Sequence, residues 1–159
     1  MKRTMLLIAS MMLALLVAAG VALAQDGVTK ICKTNCHGTE RDDQLIGTAK
    51  RNSIEGRNGA DKIEGNGAKD TLNGNLGADA VYGGNGEDKV YGGGNDDYVQ
   101  AGIKNDRIYT GSGNDVVAAK DGFRDQIHCG SSYDRVYVDR IDVLHFCEKK
   151  LSDKPQPQF

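Results

Sequence analysis

Gly83-Gly84-Asn85-Gly86-Glu87-Asp88-Lys89-Val90-Tyr91 is one of a run of nine-residue units, and Gly56-Arg57-Asn58-Gly59-Ala60-Asp61-Lys62-Ile63-Glu64 is an earlier one. The sixth position steps by nine from Asp43 through Asn52, Asp61, Asp70, Asp79, Asp88, Asp97 and Asp106 to Asp115 without a gap. Two residues after each stands an aliphatic: Leu45, Ile54, Ile63, Leu72, Val81, Val90, Val99, Ile108 and Val117. Two such series held in phase mark a true repeat and argue against a disordered glycine-rich linker. The register then slips by one, and Asp125 with Ile127 and Asp134 with Val136 continue it.

The unit resembles the glycine- and aspartate-rich nonapeptide of the RTX, or hemolysin-type, calcium-binding repeat family, whose signature is Gly-Gly-x-Gly-x-Asp-x-aliphatic-x. The resemblance covers residues 38–137. It implies an all-β fold, a right-handed parallel β-roll (a β-solenoid), with Ca2+ as cofactor. In that family six residues form a calcium-holding turn, three form a short strand, and two units make one coil. Glycines at the first, second and fourth positions suit such a turn, because they permit positive φ and let carbonyls approach a cation.

In that fold alternate units lie on opposite sheets. Ile63, Val81, Val99 and Val117 then stack in one inward column and Leu72, Val90 and Ile108 in the other, a thin core that no single repeat could form alone. Residues 18 apart become neighbours on successive coils, about 4.8 Å from each other in the spacing of paired strands. Stacked carboxylates at that distance repel by roughly 1 kcal/mol in a water-like dielectric and roughly 3 to 4 kcal/mol at an effective value near 20. A bridging divalent cation reverses the sign. Calcium suits the place because it takes 6 to 8 oxygens in flexible geometry, whereas magnesium wants a rigid octahedron.

The two edges differ in their turn residues. On the edge of Asp61, Asp79, Asp97 and Asp115 the fourth position is Gly59, Gly77, Asn95 and Gly113, all tolerant of the turn. The other edge carries Asn52, Asp70, Asp88 and Asp106 with Lys50, Ala68, Gly86 and Lys104 at that position. Calcium is therefore expected mainly along the first edge, with Lys50, Lys69 and Lys104 partly neutralising the second. Asp43 is included among the ligands, although Arg41 and Asn52 depart from the pattern and weaken the N-terminal coil.

Outside the repeat, Lys2 and Arg3 precede an apolar stretch, 5–24, that ends in Ala22-Leu23-Ala24. That is a signal peptide with cleavage after Ala24, so the mature chain is expected to be secreted and to carry no membrane span. Without Lys2 and Arg3 the balance is 18 basic to 22 acidic residues, and nothing in it suggests a nucleic-acid partner. The chain has no tryptophan, three phenylalanines and 21 glycines, too few large side chains for a thick core. Residues 25–37 are expected to form an N-terminal cap and 138–148 a C-terminal one. Residues 149–159, with Pro155 and Pro157, read as a disordered tail.

An exported chain meets an oxidising space, so its four cysteines imply disulfides. Cys129 and Cys147 are one coil apart in number, a separation that would place them within bridging distance. Cys32 and Cys36 would close a small N-terminal loop, though the crossed pairing stays open. A zinc site using His37, His128 or His145 beside these cysteines matches no usual ligand spacing.

No nucleophile elbow, phosphate loop or zinc-protease helix is present, and the paired carboxylates follow the repeat, so no enzyme is expected. The alternative is an extracellular adhesion module for a cell-surface glycan or protein. Tyr91 and Tyr109, 18 apart at the outward ninth position, would be its face, against the plainer role of cross-strand packing.

Overall fold

The computed structural model describes residues 27–147 and 149–151, the last three by backbone alone; the expected signal segment 1–24 and the end of the tail, 152–159, lie outside the described residues. In chain order the strands are β1 (Thr29–Ile31), β2 (Asn35–His37), β3 (Gln44–Ile46), β4 (Ser53–Asn58), β5 (Lys62–Glu64), β6 (Thr71–Leu76), β7 (Ala80–Asn85), β8 (Lys89–Gly94), β9 (Tyr98–Ile103), β10 (Arg107–Ser112), β11 (Val116–Ala119), β12 (Gln126–His128), β13 (Arg135–Val138), β14 (Val143–His145) and β15 (Lys149–Leu151). Odd strands form one sheet and even strands the other, each in sequence order and parallel throughout. The chain thus winds as a solenoid, crossing between sheets at every turn.

Period 18 fixes the register. Leu45, Ile63, Val81, Val99, Val117 and Val136 are successive partners in the first sheet. Ile54, Leu72, Val90, Ile108 and Ile127 are successive partners in the second. All eleven side chains are fully buried. At roughly 1.5 to 3 kcal/mol for each buried aliphatic, the two facing columns are the main apolar contribution to the fold. Because successive residues of a strand point to opposite faces, positions seven and nine lie on the outer surface.

The first position also faces inward, and its occupant changes along the solenoid. It is glycine at 38, 47, 56, 65, 74, 83 and 92, then Ala101, Thr110, Ala119, Cys129 and Val138. These five later side chains are buried and thicken the core of the C-terminal coils. The Thr110 hydroxyl, inside that core, donates to the Cys129 carbonyl at 2.6 Å.

The ends are more ordered than the sequence alone indicates. Residues expected to form separate caps carry β1, β2 and β14, which pair in register with the repeats. Lys149–Leu151, expected to begin a disordered tail, instead adds β15 beside β13. Cys32 pairs with Cys36, and Cys129 pairs with Cys147 across a Cα separation of 5.0 Å. The second bridge clamps the last coil, and neither pair leaves a thiolate for zinc.

Candidate metal centre

From β5 to β13 each turn between sheets ends at a sixth-position aspartate. Asp61, Asp79, Asp97, Asp115 and Asp134 line one edge and Asp70, Asp88, Asp106 and Asp125 the other, and every one of them is at most 2% exposed. Their stacking follows from the ladder on either side, and hydrogen bonds fix one oxygen of each. The Asp61 N–H donates to Asp79 Oδ1 at 2.7 Å, the Asp79 N–H to Asp97 Oδ1 at 2.9 Å, and the Asp97 N–H to Asp115 Oδ1 at 2.8 Å. The opposite edge repeats this with Asp70 to Asp88 and Asp88 to Asp106, both at 2.7 Å.

The second oxygen is different. In Asp61, Asp79, Asp97 and Asp115 on one edge, and in Asp70, Asp88, Asp106 and Asp125 on the other, Oδ2 is buried and has no hydrogen-bond partner. A buried polar atom without a partner carries a desolvation penalty of about 1 to 3 kcal/mol, and more when charged. Two rows of them demand an explanation. In the coils whose first position is glycine, this oxygen points at the bare Cα: a Cβ on Gly56 would lie 2.1 Å from Asp61 Oδ2, and one on Gly74 2.2 Å from Asp79 Oδ2.

Electrostatics give the same picture. Burial, with the stacked neighbouring carboxylates adding to it, pushes Asp97 and Asp106 up to about 8 from the ordinary 3.8. Burial likewise raises Asp61 and Asp125 to about 7 and Asp70 and Asp79 to about 6. These groups need a proton or a cation.

The donor set fits a hard cation. Among the described residues no three His, Cys, Asp or Glu side chains converge, so the remaining ligands would be turn carbonyls. The turn carbonyls of successive coils stack closely. A Cβ on Gly77 would sit 1.8 Å from the Gly59 oxygen, and one on Gly93 2.0 Å from the Asn75 oxygen. An all-oxygen set of carboxylates and carbonyls suits calcium and offers nothing soft for zinc or copper.

The fourth-position residues behave as expected on the first edge, where Gly59, Gly77, Asn95 and Gly113 all have positive φ. On the second edge the fold imposes the same conformation on residues that resist it: Ala68 has φ 70° and Lys104 φ 91°. A non-glycine residue there is strained by about 1 to 2 kcal/mol.

Neighbouring charges also separate the edges. Beyond the effect of burial, Asp42 repels Asp61 and Asp79, and Asp96 repels Asp97 and Asp115, each raising its neighbour's pKa further. On the second edge Arg51 and Lys69 lower Asp70 and Asp88 respectively, against the larger effect of burial. Lys69 thus offsets part of the burial effect at Asp88, and Arg51, a residue the repeat pattern does not single out, does so at Asp70. Farther along, Asp121 and Asp139 make the second edge acidic again around Asp106 and Asp125.

The N-terminal coil departs from the rest. Asp43 accepts the Val28 N–H on Oδ1 and the Thr39 N–H on Oδ2, leaving neither oxygen without a partner. Asn52 accepts the Thr48 N–H, and its amide donates to the Cys32 and Thr34 carbonyls. This coil closes its turns with protein donors, so Asp43 does not share the property that marks the other ligands. At the far end Asp125 does share it. Its aspartate-x-aliphatic spacing is visible in the sequence, but the register slip sets it outside the nine-step count.

Tyr91 and Tyr109 do stack, at 5.2 Å between centroids. The column continues through His128 at 4.8 Å and His145 at 4.4 Å, all nearly parallel. Ring faces within it are covered by one another, so the geometry is that of cross-strand packing rather than an open platform for sugars.

The model of the RTX calcium-binding nonapeptide repeat matches the chain three times, at residues 37–72, 64–99 and 91–123. No curated protein and no solved structure matches it.

Proposed function

The chain belongs to the RTX calcium-binding nonapeptide repeat family, whose repeats bind Ca2+, and from that premise we propose that calcium binding and folding are one event in this protein. The supporting observation is the pair of rows of buried Asp Oδ2 atoms without partners. Unfolded, these carboxylates are hydrated and free. Folded without a cation, they are dehydrated and repel one another. Calcium supplies the missing positive charge, and Asp61, Asp79, Asp97 and Asp115 would hold it on the first edge and Asp70, Asp88, Asp106 and Asp125 on the second. Gly59, Gly77, Asn95 and Gly113 contribute carbonyls on the first edge.

The setting we propose is extracellular. Two disulfides are what an oxidising space leaves, and calcium modules there commonly bind at roughly 10⁻⁴ to 10⁻³ M. Secretion through the segment 1–24 would deliver the chain unfolded to the calcium that condenses it.

Titration calorimetry tests the binding. Several calcium ions per chain are expected, with magnesium at the same concentration failing to replace them. A single equivalent, or equal binding of magnesium, would contradict the two-row arrangement.

A further inference from the structure

The outer faces of the two sheets differ in charge. On the sheet of β5 and β7, Lys62 is paired with Glu64 at 2.8 Å. On the other sheet the outward seventh position carries Lys89 and Arg107 as direct neighbours, with Gln126 next in the column. Beside this column, on the adjoining turns, stand Glu87, Asn105 and Arg124. The Arg124 N–H donates to Asn105 Oδ1 at 3.1 Å, which ties those two turns together.

These residues enclose a cleft of about 330 Å³ lined by Glu87, Asn105, Asp106, Arg107, Arg124 and Gln126. Asp106 is buried, whereas the other five are exposed. Glu87 is already held by Lys69 at 3.7 Å. Neither the Arg107 nor the Arg124 guanidinium makes an ion pair with any described residue. Two guanidinium groups therefore face one open cleft without a carboxylate of their own, flanked by two amide side chains.

We propose that this cleft binds the carboxylate or sulfate groups of an acidic polysaccharide, with Arg107 and Arg124 as the anion-binding residues. A guanidinium presents paired N–H donors that match a planar or tetrahedral oxyanion two at a time. Asn105 and Gln126 offer both donors and acceptors, which suits the hydroxyl groups beside such an anion. Lys89 extends the positive charge along the direction in which the strands stack, so the face favours a polymer charged along its length over a single small anion. The chain as a whole is mildly acidic, so the attraction is local to this face. Asp106, a proposed calcium ligand, also lines the cleft, so the test is made in calcium buffer.

Retention on immobilised dextran sulfate in calcium buffer at low salt tests it, with neutral dextran and polyglutamate as the other matrices. Binding to dextran sulfate is expected, weakened about tenfold to a hundredfold in the double variant Arg107→Gln, Arg124→Gln. The variant Arg135→Gln, at the outward seventh position of the opposite sheet, should bind like the unchanged chain. Circular dichroism of each variant verifies that the roll is intact. Unchanged binding in the double variant, an equal loss in Arg135→Gln, or preference for polyglutamate would overturn the proposal.

Discussion

In EDTA the roll is expected to be most stable at about pH 4 and below and to lose stability steadily up to pH 8. Burial raises Asp97 and Asp106 to about 8, Asp61 and Asp125 to about 7 and Asp70 and Asp79 to about 6. An unfolded aspartate titrates near 3.9. Between these values the folded metal-free chain holds protons that the unfolded chain has released, so stability falls as pH rises. The stabilisation is complete below about pH 4 and disappears as pH passes through the folded values of 6 to 8. A tenfold gain in a carboxylate's proton affinity on folding corresponds to about 1.4 kcal/mol, and whole domains have only about 5 to 15 kcal/mol, so a few such residues decide the outcome.

His128 opposes this trend, since burial and the charge of His145 lower its pKa, but it is one group against nine raised aspartates. Calcium inverts the dependence because it needs the carboxylates ionised. Urea melts at several pH values, with and without calcium, check both slopes. Stability that rises with pH in EDTA would show that the aspartates are not the groups at issue.

The second large effect separates the two edges. Asp79→Asn is expected to weaken calcium binding about tenfold or more, and Asp70→Asn by about threefold at most. The pair is well matched. Both side chains are buried and both accept a backbone N–H through Oδ1, from Asp61 at 2.7 Å and from Asn52 at 2.6 Å. Asparagine retains an oxygen able to accept that N–H. What differs is the surrounding charge, Asp42 beside Asp79 and Arg51 beside Asp70, and the strained Ala68 turn on the second edge. Calcium titrations of the two variants decide it, and equal losses would remove the distinction.

The sequence makes the middle of the molecule legible because one spacing governs everything there. A nine-residue step in aspartate and aliphatic assigns each residue to a sheet, a face and a coil, and the columns from Leu45 to Val117 follow that assignment. Where the spacing lapses, legibility lapses with it. His128 and His145 join the tyrosine column because changes of turn length leave the strand register unbroken, which a fixed nine-step count cannot follow.

The turns at Ala68 and Lys104 depart from the repeat signature, yet the ladders on both sides force them into the left-handed conformation. At the N-terminal end, Asp43 carries the right residue at the right position but is surrounded by N–H donors from Val28 and Thr39 that no periodicity announces. Whether a buried oxygen lacks a partner is a property of packing, and only the folded chain displays it.

The most direct test is a calcium titration of the chain at pH 7.5 followed by far-UV circular dichroism, with EDTA as the reversal. Coupled binding and folding predict a weak β signal in EDTA that rises cooperatively with calcium and is lost again on chelation. A full β signal in EDTA, unchanged by calcium, would mean that the aliphatic columns and disulfides suffice and that calcium does not drive the fold.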